Sequence, residues 1–208
     1  MPVQRRNPLT QAPPEEPEEV GEIRDDVLGA QVIVPGPQNP LPSVSAPAGV
    51  APWPRRQVED HRLITVAGLH GGAGTSTVAA MFGEQAFDAG VGWPTASGWV
   101  RPLPTLRVVV VARTHRVGLE AAEDFTQQWL AGELTDSRLL GLILVDDAPR
   151  LLESQRRSVK RLLGKTPAGA HIPWVENWRV HQPDFTNPPK RLQKIIRTFH
   201  TNAEKDKS

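Results

Sequence analysis

Leu63-Ile64-Thr65-Val66-Ala67-Gly68-Leu69-His70-Gly71-Gly72-Ala73-Gly74-Thr75-Ser76-Thr77 is the stretch that decides the fold. A short β-branched run ends in a glycine-rich loop. Thr75 then opens a helical pattern in which Val78, Phe82 and Ala86 share a face and Gly90 is the stop, which predicts a helix over 75–89. Strand, glycine loop and helix in that order are the context a phosphate-binding loop requires. Glycines at 71, 72 and 74 let backbone N–H groups turn inward, and the helix dipole adds partial positive charge where a phosphate would rest. The nominated residues are His70, Gly71, Gly72, Ala73, Gly74, Thr75, Ser76 and Thr77, with Ser76 where a hydroxyl would hold Mg²⁺. The pattern GxxxxGK[ST] nonetheless fails twice. Leu69 stands at its first glycine and Thr75 at its lysine.

Outward from the loop, Leu106–Ala112 and Leu139–Val145 are continuous apolar runs. Such runs belong to strands covered on both faces of a parallel sheet. Helical spacing follows each, over Gly118–Ala131 and over Pro149–Leu163, and Ala170–Trp174 reads as a last short strand. Alternating strands and helices predict an α/β fold, a mostly parallel sheet with flanking helices of truncated P-loop NTPase type. Ligands of such sheets bind outside the carboxyl ends of the strands. That rule adds Arg113 and His115 after the second run, and Asp146 and Asp147 after the third. Arg113 and His115 are read either as replacement positive charge or as caps of the next helix. Asp147 is also well placed to cap the helix opened by Pro149.

His70-Gly71-Gly72-Ala73-Gly74-Thr75-Ser76-Thr77 resembles the KGGxGKTT loop of the ParA/MinD family of deviant P-loop ATPases. The resemblance extends to Leu140–Val145 and to His171-Ile172-Pro173-Trp174, similar to that family's late strand and short IP segment, and covers roughly residues 62–178. It implies ATP or another nucleotide with Mg²⁺ as ligand, Asp146 and Asp147 near the base, and a homodimer. Both lysines that contact phosphate in that family are replaced, by His70 and Thr75. The chain also resembles bacterial proteins carrying GLHGGxGTST, VARTH and IPWV segments, some encoded near plasmid-transfer genes. Only about 30 residues separate the loop from the next strand, little more than one crossover. Val91–Pro104, where the family would supply a catalytic acid and switch, contains no acid. Without lysine, acid and switch, phosphoryl transfer loses the groups that stabilise its charge, and no catalytic residue is assigned.

The 208 residues carry a net charge of +1 and no cysteine, which excludes disulfides, thiolate metal sites and a thiol nucleophile. No apolar run reaches membrane-spanning length and no signal peptide is legible, so a cytoplasmic location is expected. Residues 1–60 read as a Pro-rich, partly acidic disordered arm, 61–182 as the α/β domain, and 183–208 as a basic amphipathic helix with a polar tail. Within the arm, Val27–Val34 is an apolar island expected to dock either on a partner or on this domain, where such islands commonly cover a sheet edge. Trp93 and Trp99 flank an insertion that could cover the glycine loop, while Trp174 and Trp178, spaced by four, read either as core or edge cover or as a recognition surface. Arg150 to Lys165 and Lys190 to Arg197 stud two helices with positive charge, solvated or facing DNA or an acidic partner. Two functions stay open. One is a nucleotide-binding pseudo-ATPase that acts through protein partners. The other is a non-nucleotide adaptor of a plasmid-transfer or secretion system.

Overall fold

The computed structural model describes residues 27–46, 48 and 51–205. Expectations for residues 1–26 therefore lie outside the described residues. Eight strands and four α-helices follow in the order β1 Ile33–Pro35, β2 Arg55–Val58, β3 Ile64–Gly68, α1 Thr75–Phe82, β4 Ala86–Val91, β5 Trp93–Ala96, β6 Arg107–Arg113, α2 Arg116–Leu130, β7 Arg138–Val145, α3 Glu153–Leu163, β8 Ala168–Ile172 and α4 Lys190–Lys205. Six strands form one sheet in the order β1-β8-β7-β6-β3-β4, and β2 pairs with β5 in a small parallel ribbon. Every pair of the large sheet is parallel except β1 with β8. The α/β fold read from the sequence, with 63–67, 107–112 and 139–145 as central parallel strands, is the observed one.

The continuous apolar runs are what put β3, β6 and β7 in the middle. Along β6, Val108 and Val110 enter one core, and Val109 and Val111 enter the other. The first core lies under α2 and α3, with Phe125, Trp129, Val159 and Leu162 fully or nearly buried. The second lies under α1 and α4, with Val78, Phe82, Ile195 and Phe199. Burial of each such side chain contributes roughly 1.5–3 kcal/mol, so a polar residue anywhere along β6 would be costly. β7 and β8 approach closely at Gly141, where a Cβ would stand 1.9 Å from the Ala168 carbonyl oxygen. Only glycine fits there.

Three local expectations need correction. The helix expected over 75–89 stops at Phe82, because Gly83 turns the chain at φ 74. A short 3-10 turn, Gly83–Gln85, then leads into β4, which pairs in parallel with β3. The third helix begins at Glu153 rather than Pro149, and the side chain of Gln155 accepts from the Leu152 N–H at its start. Trp93 is fully buried and Trp99 is 99% exposed, and Gly71 and Gly72 are themselves exposed, so the insertion that the tryptophans flank does not cover these loop glycines. The apolar island does dock, as the antiparallel edge strand β1. Among the described residues, no helix is long and apolar enough to cross a membrane.

Candidate functional site

At the carboxyl edge of the sheet, β3 hands over to the glycine loop. Leu69 is buried and its N–H donates to the Val111 carbonyl, continuing the ladder one residue beyond β3. That pairing explains why an apolar residue occupies the first-glycine position. Gly72 at φ 74 and Gly74 at φ 95 adopt left-handed backbone that other residues reach only with strain. Gly71 and Gly72 are exposed, with nothing within 4 Å of where a Cβ would lie. Gly74 caps α1 without any side-chain hydrogen bond, so the first turn of that helix has no side-chain acceptor at its N-cap.

His70, at the position of one missing lysine, is used otherwise. Its Nε2 accepts the Arg113 backbone N–H at 3.0 Å, which leaves the proton on Nδ1 to donate to the Gly71 carbonyl at 2.8 Å. Its ring lies 4.9 Å from that of His115, whose Nδ1 accepts the Gly118 N–H and caps α2. Both histidines thus accept a backbone N–H, a role only an unprotonated nitrogen can fill. His70 fastens the loop to the end of β6.

Arg113 brings positive charge to the loop by a different route. Its guanidinium lies against Gly74, with Nη2 3.5 Å from the position of a Cβ there, and its Nη1 donates to the Asp146 carbonyl at 2.9 Å. On the other side of α1, the exposed Ser76 hydroxyl donates to Asp88 Oδ2 at 2.8 Å, and Asp88 Oδ1 accepts the Gly90 N–H at 2.8 Å. An acid therefore does stand beside the loop. It precedes the acid-free stretch Val91–Pro104, on β4, a strand that the expected helix over 75–89 had concealed. The legible signal was Gly83, a helix stop seven residues earlier than Gly90.

Asp146 is buried, and its Oδ1 lies 2.8 Å from His171 Nε2 and 3.0 Å from Thr114 Oγ1. Asp147 Oδ1 is also 3.0 Å from Thr114 Oγ1, so one hydroxyl proton serves two carboxylates. Asp147 binds the end of β6 in this way instead of capping α3. A cavity of about 220 Å³ opens over this floor. Gly74, Thr77, Arg113 and Asp146 form its polar side. Pro173, Trp174, Trp178 and Phe185 form an apolar wall in which Trp178 meets Phe185 edge to face. Of the residues nominated from sequence, Gly74, Thr77, Arg113 and Asp146 line this cavity, Gly71 and Gly72 form the exposed loop, and Ser76 faces Asp88. Among the described residues, no group of three His, Asp or Glu side chains is placed to hold a metal by itself.

The sequence pattern of a family of unknown function, DUF6668, matches residues 63–196. The chain belongs to the DUF6668 family. The matched span takes in the glycine loop, Asp88, Arg113, Asp146 and the aromatic wall, so the DUF6668 region and the candidate site coincide. No curated protein and no solved structure matches the chain.

Proposed function

We propose that this chain binds a nucleotide at the carboxyl edge of its sheet and does not turn it over, acting through protein partners. One observation carries the reading: a single cavity joins the last glycine of the loop, the Arg113 guanidinium and an aromatic wall. Backbone N–H groups and a helix N-terminus can hold phosphate without a lysine, and Arg113 adds the charge that Thr75 lacks. The apolar wall formed by Trp174, Trp178 and Phe185 suits a flat base, with Asp146 below it as an acceptor. One hydroxyl and one carboxylate, Ser76 and Asp88, are the hard oxygen donors that fit Mg²⁺ shared with a phosphate. When bound, Mg²⁺ would neutralise phosphate charge at Ser76 and Asp88. Among the described residues no lysine lines the cavity, and Asp88 is already committed to Ser76 and the Gly90 N–H. Those absences favour retention over hydrolysis, since charge stabilisation supplies most of the acceleration.

Calorimetry with ATP, ADP, GTP and GDP beside a phosphate-release assay tests the reading. Wild type is expected to bind with no turnover above background. Arg113→Ala is expected to weaken binding at least tenfold, about 1.4 kcal/mol, and Ser76→Ala to abolish its Mg²⁺ dependence. Turnover by wild type that Ser76→Ala removes would establish an enzyme instead. The adaptor reading draws on Trp99, 99% exposed, beside Val100 at 62%. An exposed apolar pair of that size suits a protein interface. If no nucleotide binds, that reading replaces the first.

A further inference from the structure

Among the described residues, Asp146 is the one acid that lines the cavity, and one of its carboxylate oxygens has no donor. Asp146 follows β7, its N–H donates to the Ile172 carbonyl at the end of β8, and its side chain is 2% exposed. Oδ1 is engaged on the protein side, with His171 Nε2 2.8 Å away and the Thr114 hydroxyl donating from 3.0 Å. Arg113 reaches Asp146 at the backbone carbonyl rather than at the carboxylate. Oδ2 is thus the free oxygen. It is not sealed in, and the little surface that Asp146 keeps opens on the cavity. A carboxylate oxygen only accepts, so what fills this end of the cavity must bring hydrogen-bond donors to it.

The wall next to Asp146 gives the shape of the group that carries those donors. Pro173, Trp174, Trp178 and Phe185 offer flat apolar surface. Trp174 donates its Nε1–H to Glu176 Oε2 at 2.7 Å, and the Arg179 guanidinium stands 6.0 Å from its ring centroid, so its polar edge is already satisfied. The phosphate end of the cavity lies elsewhere, at Gly74 and Arg113. Gly74 belongs to the loop after β3, and only β6 separates β3 from β7. Two strand spacings, about 10 Å, therefore divide the glycine loop from Asp146. One ligand with an anionic end and a planar, donor-bearing end meets both.

Resting on the nucleotide binding proposed above, we propose that the base is guanine and that Asp146 Oδ2 selects it. Guanine presents its N1–H and its 2-amino group side by side, two adjacent donors for one acceptor oxygen. Adenine sets the acceptor N1 beside its 6-amino group, and cytosine sets N3 beside its 4-amino group. Either brings a lone pair against the carboxylate. Uracil flanks its single N3–H with two carbonyl oxygens. Asp146 therefore rejects these bases by repulsion as well as favouring guanine by attraction. A base that displaces water from Oδ2 without replacing its hydrogen bonds loses affinity, which sharpens the choice.

Calorimetric titration of the full chain with GDP, ADP, inosine diphosphate and xanthosine diphosphate, all with Mg²⁺, tests the assignment. Wild type is expected to bind GDP at least about tenfold more tightly than ADP. Inosine diphosphate, which keeps N1–H and lacks the 2-amino group, is expected to fall between them. Asp146→Asn supplies a reversal. His171 and Thr114 both call for an acceptor at the Oδ1 position, so the amide oxygen settles there and the amide nitrogen faces the cavity. Preference is then expected to pass from GDP to xanthosine diphosphate, whose 2-carbonyl accepts that new donor. Arg113→Ala is expected to weaken GDP and ADP by the same factor and to leave their ratio unchanged. ADP bound within about twofold of GDP by wild type overturns the guanine assignment and leaves nucleotide binding standing. A GDP preference that survives unchanged in Asp146→Asn also overturns it. Should Asp146→Asn fail to fold, the four ligands on wild type still decide. If wild type binds none of them, nucleotide binding and the guanine assignment fall together.

Discussion

Two residues stand where the ParA/MinD loop that this one resembles carries lysine, and the structure gives them unlike surroundings. Thr75 begins α1 at the open mouth of the loop, half-buried, beside Gly74 and Ser76. His70 spends both ring nitrogens on the backbone, one of them on the Arg113 N–H at the end of β6. Replacing it leaves that partly buried N–H unpaired, at a cost of about 1–3 kcal/mol. Restoring lysine should therefore act oppositely at the two sites. Thr75→Lys is expected to raise nucleotide affinity roughly tenfold or more. His70→Lys is expected to lower unfolding stability by about 1–3 kcal/mol and to leave affinity unimproved. Calorimetric titration together with urea unfolding of both variants checks the pair. An equal affinity gain at both positions would mean that the His70 ring is not the fastener.

Among the elements, α2 and α3 are joined by one carboxylate. Glu123 of α2 receives hydrogen bonds from Arg161 and Lys165, and from Gln127 on its own helix. Its side chain and that of Lys165 are each 24% exposed. Burial alone would raise the Glu123 carboxyl, but these three donors outweigh it and hold it below its ordinary 4.5. A depressed folded value means the contribution is complete above about 4.5 and is lost as pH falls through the lower folded value. Glu123→Gln should thus be destabilising at pH 7 by roughly 1–2 kcal/mol, and the difference should close as the pH falls below 4.5 and through the lower folded value. Denaturant unfolding of both proteins at pH 7 and pH 3 measures it. A gap that persists at pH 3 would assign the loss to packing rather than to charge.

For the molecule as a whole, the exposed edge of β8 is the point of weakness, and β1 covers it. Among the described residues only Ile33–Pro35 pairs there, yet its side chains are divided between the two cores, Ile33 against one and Val34 against the other. Pro35 ends the strand, and lacking an N–H it offers no further ladder donor. Ile33→Asp/Val34→Asp should detach this cover, lower stability by about 1–3 kcal/mol and expose β8 to pairing between chains. Sedimentation across a concentration series is the measurement. A variant that stays monomeric at all concentrations would show that β8 is protected by other means.

Local pattern alone determined the central sheet, because strands covered on both faces read as continuous apolar runs, as Val108–Val111 and Leu142–Val145 do. It also located the glycine loop, since φ near 74 and 95 is freely available only to glycine. The acid beside Ser76 was not legible in the same way. Asp88 is six residues past the helix it faces, and only the parallel pairing of β4 with β3 carries it back to the loop. The roles of His70 and Arg113 likewise depended on the neighbour each one met. One binds a backbone N–H from a strand 43 residues away, and the other lies against Gly74. Local pattern records which backbone and which face a residue needs, whereas hydrogen-bond partners and cavity walls arise only when distant strands end side by side.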